Sequence, residues 1–185
     1  HLVAGEWIAT GHTFRSEPAH GEAHDFSIGT VELVNKAAEA AEEAFWTYSD
    51  LSREARAAFL DTIADEIEAR AEHPPEGIVG VRVDDVVRVL RPPPTPQFLG
   101  RTTGQLRLFA AHIRKGEYLD KRHDVALPER TPLPRPDIRL LQRPIGPVAV
   151  FGASNFPLAF STAGGDTAAG APAGARGSGS AQAGG

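Results

Sequence analysis

The chain has 185 residues, 41% of them apolar, with 24 acidic against 19 basic side chains, a formal charge of -5, and neither cysteine nor methionine. That length holds one core or two small ones, and charges of both signs interspersed along it argue against a surface that tracks nucleic-acid phosphates. Without cysteine there is no disulfide or thiolate metal site; no apolar run nears the roughly 20 residues that cross a bilayer, and no basic, apolar leader opens the chain, so a cytoplasmic protein with no membrane or nucleic-acid partner is expected.

The chain opens on His1, and the expectation is a processed, trimmed or fragmentary product. Gly5-Glu6-Trp7-Ile8, then Gly11 and Ser16-Glu17-Pro18-Ala19, alternate apolar and polar residues between turn formers and predict a surface hairpin ribbon. From Thr30 to about Tyr48, Val31, Val34, Ala38, Ala41 and Phe45 recur at three and four and gather on one helical face, while Glu32, Lys36, Glu39 and Glu43 point away. Thr30 is the expected N-cap. A second helix is expected from Ser52, whose hydroxyl can accept early backbone amides, with Phe59, Ile63 and Ile67 as its stripe. The two, linked by Ser49-Asp50-Leu51, predict a helical hairpin, and residues 1–72 a first unit.

Residues 73–100 change character: Pro74-Pro75, a run of valines from Val79 to Val89, then Pro92-Pro93-Pro94 and Pro96. They form an atypical insert. Periodicity resumes at Thr102, where Leu106, Phe109, Ala110 and Ile113 predict a third helix ending near Gly116. A connector with Pro128, Pro132, Pro134 and Pro136 follows, then a strand over Ile138 to Gln142, a buried strand over Val148 to Phe151 and a helix from near Pro157. These define a unit over residues 101–167. After Ala168 nearly every residue is Gly, Ala, Ser or Pro, so 168–185 reads as a low-complexity tail with too few large apolar side chains to offset the entropy of ordering.

The chemistry concentrates in Gly146-Pro147-Val148-Ala149-Val150-Phe151-Gly152-Ala153-Ser154-Asn155-Phe156-Pro157, a strand breaking into a glycine turn that presents one carboxamide. Held beyond a strand's carboxyl end, where open α/β sheets bind ligands, Asn155 can donate to an oxyanion forming on a carbonyl, a role worth roughly 3 to 4 kcal/mol of barrier. A neutral donor needs no timed proton transfer.

Ala40-Ala41-Glu42-Glu43-Ala44-Phe45, Ala64-Asp65-Glu66-Ile67-Glu68, Thr102-Thr103-Gly104-Gln105-Leu106-Arg107 and Arg143-Pro144-Ile145-Gly146-Pro147 lead in order to that motif. Together they resemble the N-terminal part of the aldehyde dehydrogenase superfamily, closest to the branch oxidising 2-oxoglutarate semialdehyde. The resemblance implies an α/β fold, truncated here to a helical hairpin and the first β-α unit of a Rossmann-like domain. It also implies NAD(P)-dependent oxidation of an aldehyde, an acid semialdehyde, to a carboxylate. In such enzymes a cysteine attacks the aldehyde, hydride passes to NAD or NADP, and a glutamate activates water to hydrolyse the thioester. The residue matching Asn155 stabilises the oxyanion, and backbone matching Phe151, Gly152, Ala153 and Ser154 lies against the cofactor; whole family members are expected to be homo-oligomers. Lacking cysteine, this chain is expected to be inactive alone. Residues 73–100 and 168–185 depart from the family pattern, and a shifted reading frame in GC-rich coding sequence is the expectation for both; clean resequencing that reproduced them would overturn it.

Asn155 alone could be a turn residue bonded to nearby backbone. Gly152-Ala153-Ser154-Asn155-Phe156 nearly matches the serine-hydrolase elbow G-x-S-x-G, but Phe156 replaces the second glycine and no histidine follows His123, so Ser154 as nucleophile is the remote alternative. His20 and His24, near Glu22 and Asp25, have metal-pair spacing, yet Gly21 and the absence of apolar periodicity point to solvated loop, and no metal is expected. No G-x-G-x-x-G follows a strand. The non-catalytic alternatives are a truncated product that associates with a full-length relative, and a product that never folds.

Overall fold

The computed structural model describes residues 1–17, 23–72, 96–152, 159–160, 162–170 and 177–179. The fold is α/β. Two short antiparallel ribbons open it: β1 (Leu2–Val3) with β2 (Glu6–Trp7), and β3 (Thr13–Arg15) with β4 (Asp25–Ser27), the latter in register Phe14 to Phe26. Ala4 and Gly5 both hold positive φ, +53° and +87°, as a two-residue turn matching strand twist requires. The Phe14 and Phe26 rings stack at 5.6 Å across the second ribbon.

Helix α1 (Val31–Ser49) starts where expected, with the Leu33 N–H donating to Thr30 Oγ1 at 3.2 Å. Its expected apolar face is only half used: Ala41, Phe45 and Tyr48 are buried, whereas Val31 and Val34 stand in solvent. Helix α2 (Arg53–Glu72) is likewise capped, by Ser52 Oγ accepting from the Ala55 N–H at 3.1 Å. Its buried stripe is Ala57, Leu60 and Ala64, with Ile63 and Ile67 at its border. Phe59, expected in that stripe, is 46% exposed and touches α1 edge-on through Tyr48, at 6.0 Å between rings.

Helix α3 runs Pro96–Lys115, so it begins six residues before the expected Thr102, inside the stretch read as foreign. It is the main partner of α2. Leu106, Ala110 and Ile113 pack on Ala57, Leu60 and Ala64, and Ala168 closes the same cluster. Alanines on both sides let the helix axes approach closely. Along the flank of this contact Arg107 reaches Asp65 and Glu68 at 2.8 and 2.7 Å, and Arg114 reaches Glu54 and Asp61 at 2.9 and 2.8 Å. The early residues of α2 thus meet the late residues of α3, and the helices are antiparallel. α3 ends at Gly116 in the left-handed region, φ +71°, followed by a 3-10 turn, Glu117–Leu119.

Beyond it, β5 (Arg122–Asp124) pairs antiparallel with β6 (Ile138–Leu140). The expected strand to Gln142 stops two residues sooner. β7 (Val148–Val150) ends one residue before the expected Phe151; the helix start expected near Pro157 lies outside the described residues, and α4 spans Gly165–Gly170. Within the low-complexity tail, β8 (Gly177–Gly179) lies parallel to β7, with Val148 opposite Gly177 and Val150 opposite Gly179. Backbone hydrogen bonding orders these three residues without any large side chain. Among the described residues no helix is long and apolar enough to cross a membrane.

Candidate functional site

The carboxyl end of β7 is where the sequence concentrates its chemistry. Val150 is buried at the strand's end, Phe151 turns out to 82% exposure, and Gly152 is half-buried. The expectation of a buried strand therefore holds for one residue of three, since Val148 is 38% exposed. A two-stranded sheet cannot cover both its faces. Ala153, Ser154 and Asn155, the rest of the expected set, lie outside the described residues, as does Phe156.

The chain returns at Ala159, which is buried, and Phe160. The Gly165 N–H donates to the Ala159 carbonyl at 2.9 Å, closing residues 159 to 165 into a loop. α3 touches this loop through Arg101 and Gln105. The Arg101 guanidinium sits 5.7 Å from the centroid of the Phe160 ring, a cation on an aromatic face. One helical turn on, the Gln105 carboxamide lies so close to Gly165 that a Cβ there would fall 2.6 to 2.7 Å from its Nε2, Cδ and Oε1 atoms. Thr102 and Thr103 beside them are buried, the second donating through Oγ1 to the Leu99 carbonyl at 3.2 Å. In the sequence, periodicity marks Thr102 as the expected helix start and Leu106 as part of its stripe, while Gln105 enters only through the resemblance. The signal for more was a polar pair, Arg101 and Gln105, four apart on a helix whose other face is apolar.

A dinucleotide requires backbone it can lie against and donors for its phosphates. Phe151 and Gly152 offer an apolar ring and bare backbone, which fit one wall of such a site. The described residues at this strand end do not complete it. No group of three or more His, Asp or Glu side chains able to hold a metal occurs among the described residues. Of the histidine pair, His20 lies outside them, while His24 is exposed in the second ribbon and its backbone N–H donates to Ser16 Oγ at 2.9 Å. On β5 and β6, His123 Nε2 and Asp137 Oδ1 lie 2.6 Å apart across the ladder, both partly exposed. A surface concavity of about 370 Å³ lined by Leu127, Pro128, Glu129 and Arg130 lies in the connection between those strands and takes in none of the expected site residues.

Residues 13–171 match the family model described as the aldehyde dehydrogenase family. The chain is 48% identical over 152 residues, 80% of its length, to alpha-ketoglutaric semialdehyde dehydrogenase of Acinetobacter baylyi. It is 44% identical over 184 residues, 94% of its length, to alpha-ketoglutaric semialdehyde dehydrogenase 2 of Azospirillum brasilense. It spans 27% and 33% of those two proteins. Among solved structures it superposes with a TM-score of 0.70 at 19% identity on a salicylaldehyde dehydrogenase from Pseudomonas putida G7, covering 95% of this chain and 34% of that one. With a TM-score of 0.67 at 17% identity it also superposes on an NAD-dependent benzaldehyde dehydrogenase from Corynebacterium glutamicum, covering 96% and 36%. At those identities the superpositions speak for the fold alone.

Proposed function

The chain belongs to the aldehyde dehydrogenase family, and on that premise we propose that it is the oxyanion-stabilising, cofactor-side portion of an enzyme oxidising an acid semialdehyde to a dicarboxylate with NAD or NADP. The observation that carries the reading is the 48% identity, over 80% of the chain, to a relative named for 2-oxoglutarate semialdehyde. In this reading Asn155 donates to the oxygen that becomes anionic when a thiolate adds to the aldehyde carbon. Such a donor acts only as charge develops, so it lowers the barrier without tightening substrate binding. Backbone from Phe151 to Ser154 forms one wall for the cofactor, which when bound supplies the hydride acceptor. The chain itself holds no thiol. The 185 residues alone are therefore expected to leave an aldehyde unchanged.

The test is co-expression with the remainder of the Acinetobacter baylyi relative, following reduced cofactor formed from 2-oxoglutarate semialdehyde. Turnover that falls about 10²- to 10³-fold in kcat with Asn155→Ala supports the reading. Turnover indifferent to that substitution overturns it. A second reading, a non-catalytic partner of a full-length relative, is favoured by Val31, Val34, Trp46, Ile145 and Phe151, apolar side chains that the chain leaves largely in solvent. Co-purification with no gain in turnover would support it.

A further inference from the structure

We propose that β8 is a latch: its three residues, Gly177–Gly179, hold α1 against the rest of the molecule, and their release uncovers the whole apolar stripe of that helix. Although α1 is 19 residues long, among the described residues it packs mainly on β8 and β1. It also touches α2 through the edge contact of Tyr48 with Phe59. β8 in turn is laddered to β7 and packs on α4, which lies against α3. The latch therefore stands between α1 and the core that α2 and α3 build. Burial along α1 is divided in the same way. Ala41, Phe45 and Tyr48, in its second half, are buried, whereas Val31 and Val34, in its first half, are 71% and 64% exposed. With β8 withdrawn, one apolar stripe would run from Val31 to Tyr48, about 25 Å along the helix.

A strand of glycine, serine and glycine suits both closing and opening. Glycine in a strand lets another backbone approach its face closely, which is what a covering helix needs. The same composition weakens the hold. Val148 and Val150 stand opposite Gly177 and Gly179, so the ladder gains nothing from cross-strand pairs of side chains at those positions. What remains is backbone pairing over three residues, set against the conformational freedom that glycine loses on ordering. The contact of α2 with α3 has a buried core and ion pairs along its flank. β8 therefore parts from β7 before α2 parts from α3, and α1 is freed as a unit while the core stays folded.

Amide hydrogen exchange tests the latch. In the full chain, Gly177→Pro, Ser178→Pro and Gly179→Pro together keep the length of the tail and remove the backbone donors of β8. The expected result is a loss of protection confined to α1, with the amides of α2 and α3 as protected as before. A chain ending at Gly170 is expected to show the same pattern. Unchanged protection of α1 in the proline variant overturns the proposal. Loss spread evenly over α1, α2 and α3 in both altered chains overturns it as well, since β8 would then support the whole fold and not α1 alone. Should only one of the two unfold throughout, the other decides.

Discussion

The Arg53 guanidinium, at the first residue of α2, fills the space above Gly116 that closes α3. Its Nη1 donates to the carbonyls of Arg114 and Lys115 at 3.0 and 3.1 Å, giving the exposed carbonyl end of one helix a cation from the start of its neighbour. A Cβ on Gly116 would meet that guanidinium directly, and the residue's φ of +71° suits glycine. Gly116→Ala is therefore expected to cost about 1 to 2 kcal/mol, from left-handed strain and loss of the cap. Because the Arg53 side chain can swing away, Arg53→Ala combined with Gly116→Ala should cost less than the sum of the two. Denaturant melts of the four proteins of this cycle check it.

Leu60 and Phe59 are neighbours with opposite fates. Leu60 is 3% exposed in the α2–α3 core, so Leu60→Ala is expected to cost about 2 to 5 kcal/mol. Phe59 loses mainly its edge contact with Tyr48, and Phe59→Ala should cost about 1 kcal/mol. Equal losses in chemical denaturation would show that the stripe on α2 has been placed one residue out of phase.

Thr30 is the side-chain cap of α1, with the Leu33 N–H as its partner. Thr30→Ala should lower stability by about 1 kcal/mol, and Thr30→Ser should keep most of it. Helix content by circular dichroism through a thermal melt reads both.

Hydrogen bonds from Arg114 hold the Glu54 carboxylate below its ordinary pKa of 4.5, and Arg122 does the same for Asp120. A carboxylate whose folded-state pKa is depressed stabilises the fold above its unfolded value, 4.5 for Glu, and loses that contribution as pH falls through the lower folded value. The melting temperature should therefore drop as pH falls below about 4, and Glu54→Gln should make the drop shallower while Asp120 continues to contribute. Added salt should shrink the difference between the two proteins, since these groups are exposed. A pH profile identical in Glu54→Gln would show that the Arg114 pair adds nothing to folding.

Local signals were legible in the sequence and pairing was not. Thr30 and Ser52 cap their helices as their positions foretell, because a cap is a hydrogen bond over three residues. That α2 packs chiefly on α3 could be argued only from charge. Glu54, Asp61, Asp65 and Glu68 are matched by Arg107 and Arg114, whereas α1 carries Glu32, Glu39, Glu42 and Glu43 and would bring like charges together. Pro96 misled because it follows Pro92, Pro93 and Pro94, yet proline at a helix's first position loses no hydrogen bond. β8 gives no signal, since Gly177, Ser178 and Gly179 show neither apolar alternation nor strand-favouring residue types. At the strand end, Phe151 and Gly152 were named from the motif, while the contacts of Arg101 and Gln105 with residues some sixty positions later have no trace in local periodicity.

The parallel sense of β7 and β8 governs how the sheet can grow. A strand added in that same sense brings its carboxyl terminus to the rim where Gly152 stands, so each addition deposits one more turn beside the first. An antiparallel newcomer would send its turn to the opposite rim. Two three-residue strands thus already decide on which side of an enlarged sheet reactive groups from different parts of a polypeptide, or from different polypeptides, would assemble.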